Sequence, residues 1–122
     1  YDTLSSLSNV KLLDPLDYPN LVYLMKNAKL ILTDSGGIQE EAPTFGCPTL
    51  VMRYETERKE GVEAGVSVLV GADEDKIINY TSKILDNDFA STRLKVQNPY
   101  GDGKSAQRII KTITERIIYN YE

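Results

Sequence analysis

Histidine and tryptophan are missing altogether from these 122 residues, and cysteine occurs once. Without histidine the segment has no Ser-His-Asp triad and no His-ligated metal, and a single cysteine excludes a structural zinc as well. Cys47 has no internal disulfide partner, which fits a reducing cytosol, so the expected location is cytoplasmic. Ahead of Pro48 it reads as a small buried apolar residue. No apolar run approaches the roughly 18 residues of a membrane span. An excess of cations is missing too. Eighteen acidic against fourteen basic side chains leave a formal charge of −4, which argues against nucleic acid or an anionic membrane as the main partner. The start, Tyr1-Asp2-Thr3-Leu4, has neither an initiator Met nor a signal-peptide n-region, so the chain is expected to begin partway through a larger protein. Whatever chemistry occurs here must use carboxylates, arginine, tyrosine or lysine, or must lie outside the segment.

What is present alternates between strand and helix signals. Val10 to Leu13 is a short apolar run stopped by Asp14-Pro15 and reads as a strand. Leu21, Leu24, Met25 and Ala28 recur at three- and four-residue steps, predicting a helix from Asn20 to Ala28. Leu30 to Thr33, Thr49 to Met52 and Val66 to Val70 read as strands, the first expected to be covered on both faces. A helix beginning after Gly37 runs to about Phe45, short or kinked because Pro43 lacks an N–H and crowds the carbonyl of Gln39. Ile77, Ile78, Thr81, Ile84 and Leu85 predict the inner face of a helix from near Asp73. Ala106, Ile109, Ile110, Ile113 and Ile117 mark a last amphipathic helix after the turn-rich Asn98–Gly103. The alternation predicts an α/β fold with a doubly wound parallel sheet. The strand ahead of Ser35 calls for a neighbour on its other side, so the first strands of the sheet are expected to be absent.

The most informative stretch is Thr33-Asp34-Ser35-Gly36-Gly37-Ile38-Gln39-Glu40-Glu41-Ala42-Pro43, a strand running through a Ser-Gly-Gly turn into a helix. Two readings stand for it. Ser35 could be an ordinary N-cap, with the glycines easing a tight turn and Glu40 and Glu41 complementing the helix dipole. Alternatively, the first helical N–H groups bind phosphate, and the absent Cβ atoms let a diphosphate reach the backbone. On that second reading at least one glutamate addresses a hydroxyl-bearing part of the ligand. The string matches neither a dinucleotide fingerprint nor a Walker A loop. Arg53 to Gly61 is open in the same way. It is either a solvated charged loop or, at the carboxyl end of a strand, the source of an arginine that neutralises a diphosphate.

Together these segments resemble the non-hydrolysing UDP-N-acetylglucosamine 2-epimerase family. The resemblance runs through Leu30 to Pro43, then Thr56-Glu57-Arg58 with Glu60-Gly61-Val62-Glu63-Ala64-Gly65, then Leu69-Val70-Gly71 and Asn98-Pro99-Tyr100-Gly101-Asp102-Gly103-Lys104. It departs at Tyr54, Glu55 and Lys59, where the family usually has Asp, Thr and Pro.

The resemblance implies a two-domain GT-B-type enzyme with Rossmann-like domains. Residues 1–122 would be part of the C-terminal, UDP-binding domain, and the N-terminal domain with the catalytic carboxylates would lie outside the chain, as would a family histidine. It implies interconversion of UDP-GlcNAc and UDP-ManNAc by elimination and re-addition of UDP, with inversion at C2 and with no metal or nicotinamide cofactor. By motif, Ser35, Gly36 and Gly37 would hold the diphosphate, Glu41 would accept from the ribose diol, and Arg58 would offset the charge of UDP. The full-length protein is expected to be a homodimer and to serve polysaccharide biosynthesis. A hydrolysing relative that releases ManNAc and UDP, and a sugar-nucleotide-binding module without activity, remain as alternatives.

Overall fold

Each of the three expected apolar strands from Leu30 onward forms, and all three run parallel. The computed structural model describes residues 2–86 and 97–119. Strands β1 (Ile31–Thr33), β2 (Thr49–Val51) and β3 (Ser67–Leu69) lie side by side in chain order. Ile31 stands opposite Thr49, and Thr49 opposite Ser67. This is a Rossmann-like parallel α/β arrangement, in which each strand is followed by a helical crossover. The central strand β2 is buried along its whole length, and Leu50 and Val51 form the heart of the core with Met25, Val66 and Val70. Expected coverage of β1 on both faces is not met: β1 is an edge of this sheet among the described residues, and Leu32 is 41 % exposed.

The helices follow local chemistry. Helix α1 (Asp2–Ser5) is a single exposed turn. Helix α2 (Tyr18–Asn27) starts where Asp17 accepts from the Asn20 N–H at 3.0 Å, with Pro19 in the first turn, where its missing N–H costs nothing. It buries Met25 and packs against the 3₁₀ turn Ala42–Phe45. Helix α3 (Gly36–Glu41) gives way to that 3₁₀ turn as Pro43 dictates, so the helix after Gly37 is both short and bent. Cys47 is buried, and its thiol donates to the Ala28 carbonyl at 3.4 Å. Helix α4 (Lys59–Glu63) is a short piece ahead of β3.

Two further sequence expectations are corrected. Val10 to Leu13 forms no strand; Lys11, Leu12 and Leu13 are exposed and pair with no neighbour in the sheet. A strand exists only through its ladder, and a local apolar run does not supply one. Helix α5 (Glu74–Asp86) forms, but its packed face is narrower than predicted. Ile77, Thr81 and Ile84 are half-buried, whereas Ile78 and Leu85 are exposed. Helix α6 (Ser105–Tyr119) forms with the expected apolar stripe, of which Ile109, Ile110, Ile113 and Ile117 are all more than half exposed. No described helix is long and apolar enough to cross a membrane.

The start of α6 is held by Asp102, which accepts from the Lys104 N–H at 3.1 Å and from both Arg108 terminal nitrogens at 2.7 Å. This forked pair, then the backbone bond, hold the Asp102 carboxyl at about 2, below its ordinary 3.8. A depressed folded-state value means that the contribution is present above pH 3.8 and is lost as pH falls toward 2. Carboxyl NMR titration should therefore place the Asp102 midpoint near 2. In Arg108→Ala the midpoint should return toward 3.8; an unmoved midpoint would remove the arginine as the cause.

Candidate functional site

The strand β1 ends in Thr33, whose buried hydroxyl accepts from the Ser35 N–H at 3.0 Å and turns the chain sharply toward α3. Ser35 is the N-cap: its hydroxyl accepts from the Ile38 N–H at 3.5 Å, and its carbonyl from the Gln39 N–H at 3.2 Å. The ordinary capping reading of Ser35 is thus realised, and it leaves the leading N–H groups of Gly36 and Gly37 at the end of the helix, where the dipole is positive.

Arg58 reaches this same point from the far side of β2. A Cβ added to Gly36 would stand 2.5 Å from Arg58 Cζ and 2.7 Å from Nη2, so the guanidinium lies in the space the missing side chain leaves. Its Nε donates to Glu40 Oε1 at 2.8 Å, and Nη1 lies 3.7 Å from Glu57. The two predicted elements, the Ser-Gly-Gly turn and Arg58, therefore converge. At Gly36, however, the absent Cβ admits an arginine of the protein itself. Gly37 is different: a Cβ there would meet only Ser35 Oγ, at 3.9 Å, and the space is open.

Glu41 is directed elsewhere. Its carboxylate raises the pKa of the Tyr18 hydroxyl, at the start of α2, above the ordinary 10.0, through hydrogen bonding first and charge second. Glu40 and Glu41 thus divide: one grips Arg58, the other acts on Tyr18. Both border an open cleft of about 630 Å³ that is also lined by Thr44, Asn98, Tyr100 and Gly103, whereas Ser35, Gly36, Gly37 and Arg58 lie outside its lining.

The charged loop after β2 is neither wholly solvated nor wholly ordered by ligand. Thr56 and Arg58 are half-buried, whereas Glu55, Glu57 and Lys59 point outward. The Thr56 hydroxyl donates to Oε1 of buried Gln39 at 2.9 Å and accepts from the Arg58 N–H at 3.1 Å. Tyr100 joins from the Asn98–Gly103 turn, with its hydroxyl accepting from the Gly61 N–H at 2.9 Å and donating to the Arg58 carbonyl at 3.0 Å. Sequence reasoning gave Asn98 and Tyr100 no role in the site beyond turn chemistry. Nothing in their spacing could have shown contacts across 42 and 58 residues. Gln39, at a core-facing position of α3, was legible only as part of a string. Among the described residues no cluster of carboxylate or cysteine groups could hold a metal ion.

Comparison with known proteins bears on this geometry. A family model described as UDP-N-acetylglucosamine 2-epimerase matches residues 1–114. A UDP-N-acetylglucosamine 2-epimerase from Yersinia pestis is 50 % identical over 111 residues, 90 % of this chain and 30 % of that protein. A crystal structure of the Neisseria meningitidis UDP-GlcNAc 2-epimerase bound to UDP-GlcNAc superimposes with a TM-score of 0.83 at 43 % identity, covering 93 % of this chain and 32 % of that one. The Methanocaldococcus jannaschii UDP-GlcNAc 2-epimerase in complex with UDP-GlcNAc and UDP gives 0.80 at 41 % identity, covering 93 % and 30 %. The chain thus spans about a third of the length of these relatives.

Proposed function

The chain belongs to the UDP-N-acetylglucosamine 2-epimerase family, and we propose that it forms the UDP-binding part of an enzyme that interconverts UDP-GlcNAc and UDP-ManNAc. The observation that carries this reading is the Arg58 guanidinium lying over Gly36 at the start of α3. A fixed cation, the positive end of a helix and an open backbone at Gly37 together make a place for a diphosphate. The relatives solved with UDP-GlcNAc or UDP support the ligand class.

In this reading Ser35 shapes the turn, and Gly36 and Gly37 present their N–H groups to the diphosphate. Arg58 supplies the opposing charge. UDP gains charge as it departs from the sugar, so these donors bind it more strongly as the bond breaks and stabilise the transition state. The acid and base at the sugar C2 come from outside the chain, in an N-terminal domain, and residues 1–122 are part of the C-terminal domain. No metal or nicotinamide enters the reaction. The full-length enzyme is a cytoplasmic homodimer in this proposal.

Glu41 accepts from the ribose diol. Calorimetry with UDP and its 2′,3′-dideoxy analogue tests this assignment. The wild type should bind UDP more tightly, and Glu41→Gln should lose about 1.5–3 kcal/mol toward UDP while ceasing to distinguish the two ligands. Equal binding of both by the wild type would remove the ribose contact, and no binding of UDP at all would remove the proposed function.

A further inference from the structure

We propose that Tyr100 is a positioning residue for Arg58, capping α4 from outside so that the guanidinium is delivered to Gly36. The functional consequence rests on the reading above, in which Arg58 meets the diphosphate; the positioning itself does not.

The N-cap of α4 is unusual. Helix α4 starts at Arg58, whose side chain makes no capping bond. The leading N–H groups of a helix need acceptors, ordinarily supplied by Ser, Thr, Asp or Asn at this position. A guanidinium carries donors only and cannot serve. Tyr100 fills the deficit. Its hydroxyl accepts from the N–H of Gly61, the third residue of α4, which is the group a capping side chain takes. The same hydroxyl donates to the Arg58 carbonyl. With the Arg58 N–H bound to the Thr56 hydroxyl, both backbone polar groups of Arg58 are held from outside the helix. The arginine is therefore free to sit at a cap position and project away from it.

Tyr100 is itself fixed to the segment that Arg58 must reach. Its N–H donates to Asn98 Oδ1 at 2.9 Å, and Asn98 Nδ2 donates to the Glu40 carbonyl at 3.1 Å and to Thr44 Oγ1 at 2.8 Å. Glu40 thus holds the guanidinium by its carboxylate and, through Asn98 and Tyr100, the Arg58 backbone by its carbonyl. Gly61 completes the fit, since a Cβ there would lie 2.5 Å from the Tyr100 hydroxyl oxygen. Burial, followed by the nearby Glu60 and Glu40 charges, raises the Tyr100 pKa, outweighing the Gly61 N–H and Arg58, so the phenol keeps the proton it donates.

Two measurements on the 122-residue chain test this. The first needs no ligand: ¹⁵N relaxation at Arg58 Nε. Tyr100→Phe keeps the ring but loses both bonds, and should lower the Arg58 Nε order parameter while leaving Arg108 Nε unchanged. An Arg58 Nε as rigid as in the wild type would overturn the proposal. Loosening of both arginines would also overturn it, by showing a general structural role. The second is UDP binding. Tyr100→Phe should weaken it severalfold, and should have no further effect in an Arg58→Ala background. Additive losses would mean that Tyr100 acts on UDP by another route and would overturn the functional half. If Arg58 loosens in Tyr100→Phe but Arg58→Ala binds UDP normally, the positioning stands and the diphosphate reading falls.

Discussion

Gly36→Val should leave the chain folded with a melting temperature close to that of the wild type, while UDP affinity falls roughly ten- to a hundredfold, the worth of charged hydrogen bonds. The two outcomes separate because of what occupies the space. A branched side chain at Gly36 would collide with Arg58 Cζ, Nη2 and Nε, the mobile end of a long side chain rather than backbone. Arg58 can swing out, and the exposed Glu40 carboxylate can turn to water, so little folding energy is lost. The cation at the helix start, however, would be gone. Calorimetry beside a thermal melt checks both halves, and a folded variant with unchanged affinity would remove Arg58 and Gly36 from the site. Gly37→Ala is the informative companion. Beyond its chain neighbours and its own helix backbone, an added Cβ there would meet only Ser35 Oγ, at 3.9 Å, so a loss of affinity there reports the ligand itself.

Incubated with UDP-GlcNAc in deuterated water, the 122-residue chain alone should place no deuterium at the sugar C2. Exchange there needs a positioned acid or base, and histidine is absent from the sequence. Of the two carboxylates of the site, Glu40 is engaged by Arg58, and Glu41 is assigned to the ribose. The chain can hold a diphosphate without acting on the sugar. Deuterium above a no-protein control would show that the chemistry resides in these residues and that the proposed division of labour is wrong.

Much of the fold was legible because it rests on local causes. The apolar runs of β1, β2 and β3 and the break at Pro43 each act within a few residues, and each appears where the chain places it. The errors fall where a local signal needed a distant partner. Val10 to Leu13 had the composition of a strand and no ladder to join. Ile78 and Leu85 had helical spacing, but the neighbouring layer covers only the Ile77, Thr81 and Ile84 ridge.

The sequence by itself determined that a strand runs through a Ser-Gly-Gly turn into a short helix and offered Ser35 as its cap, since hydroxyl capping and the absence of Cβ atoms are properties of those residues. It also determined that histidine and disulfide chemistry are missing. Only the tertiary structure decided that Gly36 makes room for Arg58, that Glu40 and not Glu41 grips it, and that Tyr100 caps the helix on which Arg58 sits. Those contacts join residues 18 to 42 positions apart, and no periodicity encodes them. They exist because parallel pairing of β1, β2 and β3 brings the carboxyl ends of β1 and β2 side by side, and with them the turns that carry Gly36 and Arg58.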